Sequence, residues 1–290
     1  MSLPVSVLLL VVACSLGWAG FDLLRKLLVR EIPPVALVFL LTVGSAPLFL
    51  AWAVAQGPKM PGPGYWVPAI GSVILNIVAN LLFLQGMRIA PISVTVPLLS
   101  LTPVFATLLA IPLLGERPNS GHVLGIFLVV GGAIVLHWRT GDKEETDRRQ
   151  GSLKGALMVA LTAFLWSLTI PLDKMAVERG NAPFHGIVLT AGVAVGVLAV
   201  LVFQRGLGDL GTVRRVPGIY ALALVVSTLA LALQLLALPQ VFVGTVETLK
   251  RGIGNVAALV SGRVFFHEPV TLRKLWAVVV MAVGVALILS

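Results

Sequence analysis

Apolar runs of about twenty residues, separated by short polar breaks, recur along the whole chain. Hydrocarbon roughly 30 Å thick is crossed by roughly 20 residues of α-helix, so this pattern predicts membrane spans. They fall at Leu3 to Leu24, Val35 to Val54, Trp66 to Leu84, Ile92 to Leu114 and Val123 to Trp138. A second set falls at Leu153 to Leu172, Phe184 to Phe203, Val216 to Leu238, Val241 to Phe266 and Leu275 to Leu289. The runs are continuous and lack the period-two alternation of a membrane barrel. The expected fold is an all-α polytopic membrane protein with ten transmembrane helices. No basic residue precedes the first run and no small-x-small cleavage site follows it, so it reads as a retained span rather than a leader.

Composition changes the picture by exclusion. The chain is 58% hydrophobic and 11% charged, with a mean hydropathy of +1.02, whereas soluble domains carry about 25% charged residues. A formal charge of +9 would suggest nucleic acid in a soluble protein. Here the basic residues lie mostly between spans, where lipid headgroups and the positive-inside rule account for them, and no nucleic-acid partner is expected. A single cysteine, Cys14, leaves no intrachain disulfide and no cysteine-based metal site. His122, His137, His185 and His267 are scattered without metal-ligand spacing, and there is no phosphate loop, dinucleotide fingerprint or paired acidic cluster. Neither an enzyme, a metal nor a cofactor is expected.

The chain also repeats itself. "LLGERPNSGHVLGIFLVVGGAIVL" (Leu113 to Leu136) aligns without a gap on "FFHEPVTLRKLWAVVVMAVGVALI" (Phe265 to Ile288), placing Glu116 on Glu268 and Gly132 on Gly284. "SLGWAGFDLLRK" lies over "AFLWSLTIPLDK", so Trp18 meets Trp166 and Lys26 meets Lys174. The expected organisation is a first five-helix repeat over 1–138, a charged linker over 139–152 and a second five-helix repeat over 153–290. The stretch from His137 to Lys154 carries nine of the 33 charged residues and reads as a solvated loop. Five is odd, so the second half enters the membrane in the opposite sense and the repeats are inverted. Halves so related can exchange roles and expose one central site to either side in turn.

These motifs resemble the drug/metabolite transporter superfamily, specifically its ten-span EamA-like members. The resemblance rests on "SVTVPLLSLTPVFATLLAIPLLGERPNSGHVLGIFLVVGGAIVL" (Ser93 to Leu136) and its weaker C-terminal copy. It implies a secondary transporter with both termini in the cytoplasm. The positive-inside count prefers the reverse: four basic residues fall in the loops that this model makes cytoplasmic and fifteen, Arg25 and Lys26 among them, in the opposite loops.

The second copy departs from the first at "VETLKRGIGN" (Val246 to Asn255), where Glu247, Lys250 and Arg251 replace Thr95, Leu98 and Leu99, and Asn255 stands where Pro103 does. Spacings of three and four residues place these on one helix face. Three readings are open: a polar stripe lining a substrate cavity, a structural ion pair of Glu247 with Arg251 that leaves Lys250 over, or an interfacial helix end whose charges snorkel to headgroups. On the cavity reading the stripe carries +1 and suits a carboxylate or phosphate. Trp18, Trp166, Lys26, Lys174 and Asn80 complete the candidate substrate-binding set, although lysines at span ends also snorkel and amides also join helices. Glu116 and Glu268 read as turn-holding residues.

The function expected is secondary transport of a small polar metabolite, anionic or zwitterionic, such as an amino acid or organic acid. An organophosphate or nucleotide-sugar exchanger is the alternative, ahead of a non-transporting membrane protein or a membrane-bound transferase. The partners are the substrate and the lipid bilayer, with proton or sodium as coupling ion, in a monomer or homodimer. The expected location is the bacterial inner membrane.

Overall fold

The computed structural model describes residues 4–57, 59–89, 98–137, 149–266 and 271–289. These residues form ten α-helices and no strand. They are α1 (Val5–Glu31), α2 (Pro34–Ala55), α3 (Trp66–Ile89), α4 (Thr102–Leu114), α5 (Ser120–His137), α6 (Arg149–Arg179), α7 (Ala182–Phe203), α8 (Pro217–Ala237), α9 (Val243–Phe266) and α10 (Leu272–Leu289).

The connections are short because the sequence stops and restarts its helices abruptly. Ile32 is extended ahead of Pro33, and Pro34 opens α2, since proline disfavours helix in the residue before it and suits the first helical turn. Gly115 closes α4 in the left-handed conformation, with φ 67°, which costs a glycine nothing. Asn181 caps α7 by accepting the Phe184 N–H.

Six helices are long and apolar enough to cross a membrane: Val5–Glu31, Pro34–Ala55, Trp66–Gly86, Leu153–Arg179, Ala182–Phe203 and Pro217–Gln240. Thr102–Leu114 and Ser120–Val135 are shorter apolar helices. The expected span from Ile92 is met only from Thr102 onward, because residues 90–97 lie outside the described residues. Two boundaries differ from expectation. The helix α6 begins at Arg149 and takes up the end of the expected linker, and α1 runs seven residues past Leu24. Arg25 and Lys26 are thus helical residues, and Arg25 is buried, so it does not belong among loop cations.

Helix pairs follow a regular scheme. The helix α1 packs antiparallel on α8, with Gly17 against Ala230 and Gly20 against Val226. Likewise α3 packs antiparallel on α6, with Gly71 against Leu172 and Gly86 against Val159. The helix α1 also lies against α9, as α6 lies against α4. The pairs α2 with α7, α4 with α9 and α5 with α10 complete the bundle. Each of these named partnerships maps onto another, or onto itself, when each helix is exchanged for the one five places along the chain. Opposite the packed faces, large apolar side chains such as Leu9, Leu16, Val195 and Val202 are exposed. Helices apolar all round suit lipid rather than water.

The spacings "GHVLG" and "GVAVG" act as close-packing faces. Gly125 meets α10 so tightly that a Cβ there would fall 2.5 Å from the Gly284 carbonyl, and Gly192 and Gly196 receive Val73 and Ile77 of α3. Gly284→Val is expected to lower the melting temperature of the detergent-solubilised protein through overpacking of about 1–3 kcal/mol. Gly131→Ala, where nothing lies within 4 Å, is expected to leave it unchanged.

Candidate functional site

The charged stretch of α9 lies against the middle of α1. Lys250 Nζ stands 5.3 Å from the ring centre of Trp18, the central residue of the 27-residue α1. At 1.5 Å per residue this is about 20 Å from either end of that helix. Glu247 is 0% exposed, and the side chains of Lys250 and Arg251 are 12% and 13% exposed. This depth does not fit an interfacial end with snorkelling charges.

Glu247 is in direct contact with Lys250, which also donates to Gln234 Oε1 of α8 at 3.2 Å. Arg251 is farther from the carboxylate, at 3.9 Å. The ion pair therefore differs from the one expected: Lys250 is the close partner and Arg251 the looser one.

One further cation joins them. Arg25 of α1 sits 4.2 Å over the Phe83 ring of α3, with Phe21 and Trp166 at 5.4 and 5.9 Å. Its guanidinium is paired at 2.7 Å with Asp22, whose side chain is 43% exposed, and it lies within electrostatic range of Arg251. The aromatic wall continues through Phe83 on Trp166, with ring centres 5.0 Å apart. Three cations thus face two carboxylates inside a largely apolar bundle.

Among the described residues, the buried side-chain polar atoms without a hydrogen-bond partner are Trp18 Nε1, Arg25 Nε, Arg251 Nε and the carboxylate oxygens of Glu247, whose charge is met by the ion pairs with Lys250 and Arg251. All of them belong to this one cluster. Buried polar groups are almost always satisfied, and here three N–H donors on neighbouring side chains are unmatched. The arrangement can hold an anion: two guanidinium groups and an indole supply directed donors, and Lys250 a point charge.

Residues 5–138 match the EamA-like transporter family. That match covers a little under half of the chain. The 4-amino-4-deoxy-L-arabinose-phosphoundecaprenol flippase subunit ArnF of Sodalis glossinidius, a probable assignment for that protein, is 29% identical over 125 residues, 39% of this chain and 96% of the relative. The subunit ArnE of Erwinia tasmaniensis, also a probable assignment, is 38% identical over 66 residues, 23% of this chain and 61% of the relative. A solved crystal structure superposes with a TM-score of 0.78 at 18% identity, covering 97% of each chain, which shows the fold alone. Family and apolar helices together make this a multi-pass membrane protein.

The structure brings Trp18, Trp166, Glu247, Lys250 and Arg251 together. The other candidates lie apart. Asn255 is buried against Ser100 and Met281, at 3.4 and 4.0 Å, away from the stripe it was expected to extend. Asn80 donates to the Asn76 carbonyl of its own helix at 2.8 Å. Lys26 is half-buried one residue past Arg25. Lys174 is buried elsewhere, donating to Glu116 Oε1 and to the Val241 carbonyl, both at 2.8 Å. Glu116 accepts the Val243 N–H at 3.1 Å. It therefore does more than hold its own turn, because it caps the start of α9 and pins it to α6. Glu268 lies outside the described residues.

Sequence reasoning missed Arg25 and Phe83. The signal for Arg25 was present: Trp18, Asp22 and Arg25 fall at i, i+4 and i+7 on one face.

Removing Glu116 leaves Lys174 buried without its counter-charge. Glu116→Ala is expected to destabilise by about 3–5 kcal/mol, read as a fall in thermal midpoint in detergent. Adding Lys174→Met to that variant should recover most of the loss.

Proposed function

We propose that the protein is a secondary transporter for a small anionic or zwitterionic metabolite, working by alternating access between two inverted five-helix repeats. The observation that carries the substrate class is the presence of unmatched donors on Trp18, Arg25 and Arg251 in the cluster around Lys250. Acceptor oxygens of a carboxylate or phosphate would satisfy all of them, and the half-exposed Asp22 could receive an amine. Trp18, Trp166, Glu247, Lys250 and Arg251 form the binding set, together with Arg25. The match of residues 5–138 to the EamA-like transporter family supports transport.

The inverted arrangement and the ten spans have their support in the packing. Helices α4 and α6 run parallel, with Phe105 beside Phe164 and Glu116 beside Lys174. Helices α4 and α9 run antiparallel, with Thr107 at Gly244 and Ser100 at Asn255. The helix α9 follows α8 after a short turn and runs alongside α1, so α1 and α6 point in opposite directions. The flippase relative aligned over 96% of its length by 39% of this chain is the size of one such half. A bacterial inner-membrane location fits relatives of this kind.

A second reading is favoured by those relatives, whose names specify a phosphate-linked amino sugar on a lipid carrier. The same donors would hold a phosphodiester, so a phosphate ester is a rival to a free carboxylate.

A thermal-shift panel of amino acids, dicarboxylates and phosphate monoesters on the purified protein tests the site. A ligand that stabilises the wild type is expected to bind Lys250→Ala at least tenfold more weakly, since hydrogen bonds to charged groups contribute about 1.5–3 kcal/mol. Equal stabilisation of both proteins would remove Lys250 from the site.

A further inference from the structure

A second polar cluster lies where α6 ends and where α3 and α7 begin. Asp173 of α6 is 3% exposed, and Tyr65, Ser72 and His185 are 0% exposed. His185 Nε2 lies 3.0 Å from Asp173 Oδ1, and the Tyr65 hydroxyl lies 3.1 Å from His185 Nδ1. Ser72 donates to the same carboxylate oxygen, and Asn76 Nδ2 donates to Ser72 Oγ at 3.1 Å. The rings of Trp66 and Phe184 pack on Tyr65 at 5.1 and 5.4 Å and close the site to water. No part of the anion cluster reaches it.

The hydrogen bonds assign the resting proton positions. His185 carries its hydrogen on Nε2, given to Asp173, and Nδ1 accepts from Tyr65. In this state Asp173 is a buried carboxylate surrounded by neutral donors. Other ionisable groups nearby are directed elsewhere. On α6, Lys174 is held by Glu116, Glu178 is exposed, and Arg179 donates to the Gly64 carbonyl. The helices α2 and α8 contribute no charged residue, α7 has only His185, and Arg88 of α3 lies at its far end.

We infer that Asp173 and His185 form a proton-binding site that couples proton movement to transport. The inference rests on the transport reading above. One proton adds to His185 Nδ1, forming one N–H bond, and the site passes from a net charge of −1 to zero. Tyr65 must then accept where it had donated and turn its hydrogen away from the ring. A buried carboxylate gains most from such a partner, and intramembrane Asp and His groups recur in proton pathways.

The link to the anion cluster is structural. The helix α6 carries both Trp166 of that cluster and Asp173, and α3 carries both Phe83 and Ser72. Between them, Asn76 and Asn80 continue a polar ladder along α3 for about three turns, roughly 16 Å from Ser72 to Phe83. Lys174, adjacent to Asp173, fixes the start of α9 through Glu116. A rearrangement at the dyad is therefore transmitted to the helix that holds Lys250 and Arg251.

Nitrogen NMR of the full chain labelled at histidine tests the proton site. A resonance absent in His185→Gln should change its chemical shift with pH, as protonation of Nδ1 requires. Asp173→Asn should displace that titration, and so should Tyr65→Phe, which removes only a hydroxyl and guards against misfolding of the first variant. A His185 signal that stays constant with pH, or is indifferent to both substitutions, overturns the proposal. Coupling is read in proteoliposomes with radiolabelled glutamate, malate and glycerol 3-phosphate. For whichever probe is taken up, a gradient of one pH unit should raise accumulation about tenfold at one proton per molecule, and His185→Gln should abolish that gain. Wild-type accumulation indifferent to the gradient overturns coupling. Absence of uptake for all three probes counts against the transport reading, and the NMR titration then decides the proton site by itself.

Discussion

An ionised side chain deep in a membrane has no bulk water to compensate it, and the protein must supply that compensation through its own geometry. Glu247, Lys250 and Arg251 impose this constraint at the level of Trp18, the middle of α1. Lys250 is drawn between Glu247 and Gln234 and rests on the Trp18 face. Arg251 is left with the longer approach and an unmatched Nε. Arg25 comes in from α1 with its own carboxylate and an aromatic cushion. The cluster holds one cation more than it has carboxylates and is incomplete in hydrogen bonding, which is what the proposed anion would complete.

The rest of the bundle holds this cluster where α1, α8 and α9 meet. Backbones meet at Gly17 on Ala230 and at Gly125 on Gly284, so helices pair closely without large side chains interlocked between them. The start of α9 is tied by charge, through the Val243 N–H on Glu116 and Glu116 on Lys174. Such a tie lies well away from Lys250 and can be made or broken without dismantling the pairings on either side.

Helix content and the order of the elements were legible in the sequence because continuous apolar runs carry that signal directly. The charged stretch of α9 was visible for the same reason, three charges standing out against a greasy background. Its pairing was not: spacing alone permits Glu247 to meet either Lys250 or Arg251, and only the packing of α8 and α1 decides it. Arg25 was masked by the end assigned to the first span, seven residues short of the helix end. Asn255 fitted the stripe by spacing, but four residues is slightly more than one turn, and the drift carries it toward Ser100 and Met281. The Asp173 and His185 pairing joins positions on different helices through tertiary contact, and no periodicity in the sequence marks it.

The claim on which the account turns is that the centre of α9 lies in a site reached from both sides of the membrane. Gln234, the neutral partner of Lys250, offers the most direct probe. In a Cys14→Ser background, Gln234→Cys can be challenged with a membrane-impermeant thiol reagent in right-side-out and in inside-out vesicles. The account predicts modification in both preparations. Modification from one side only, or from neither, would contradict it and leave the cluster as a closed structural bridge.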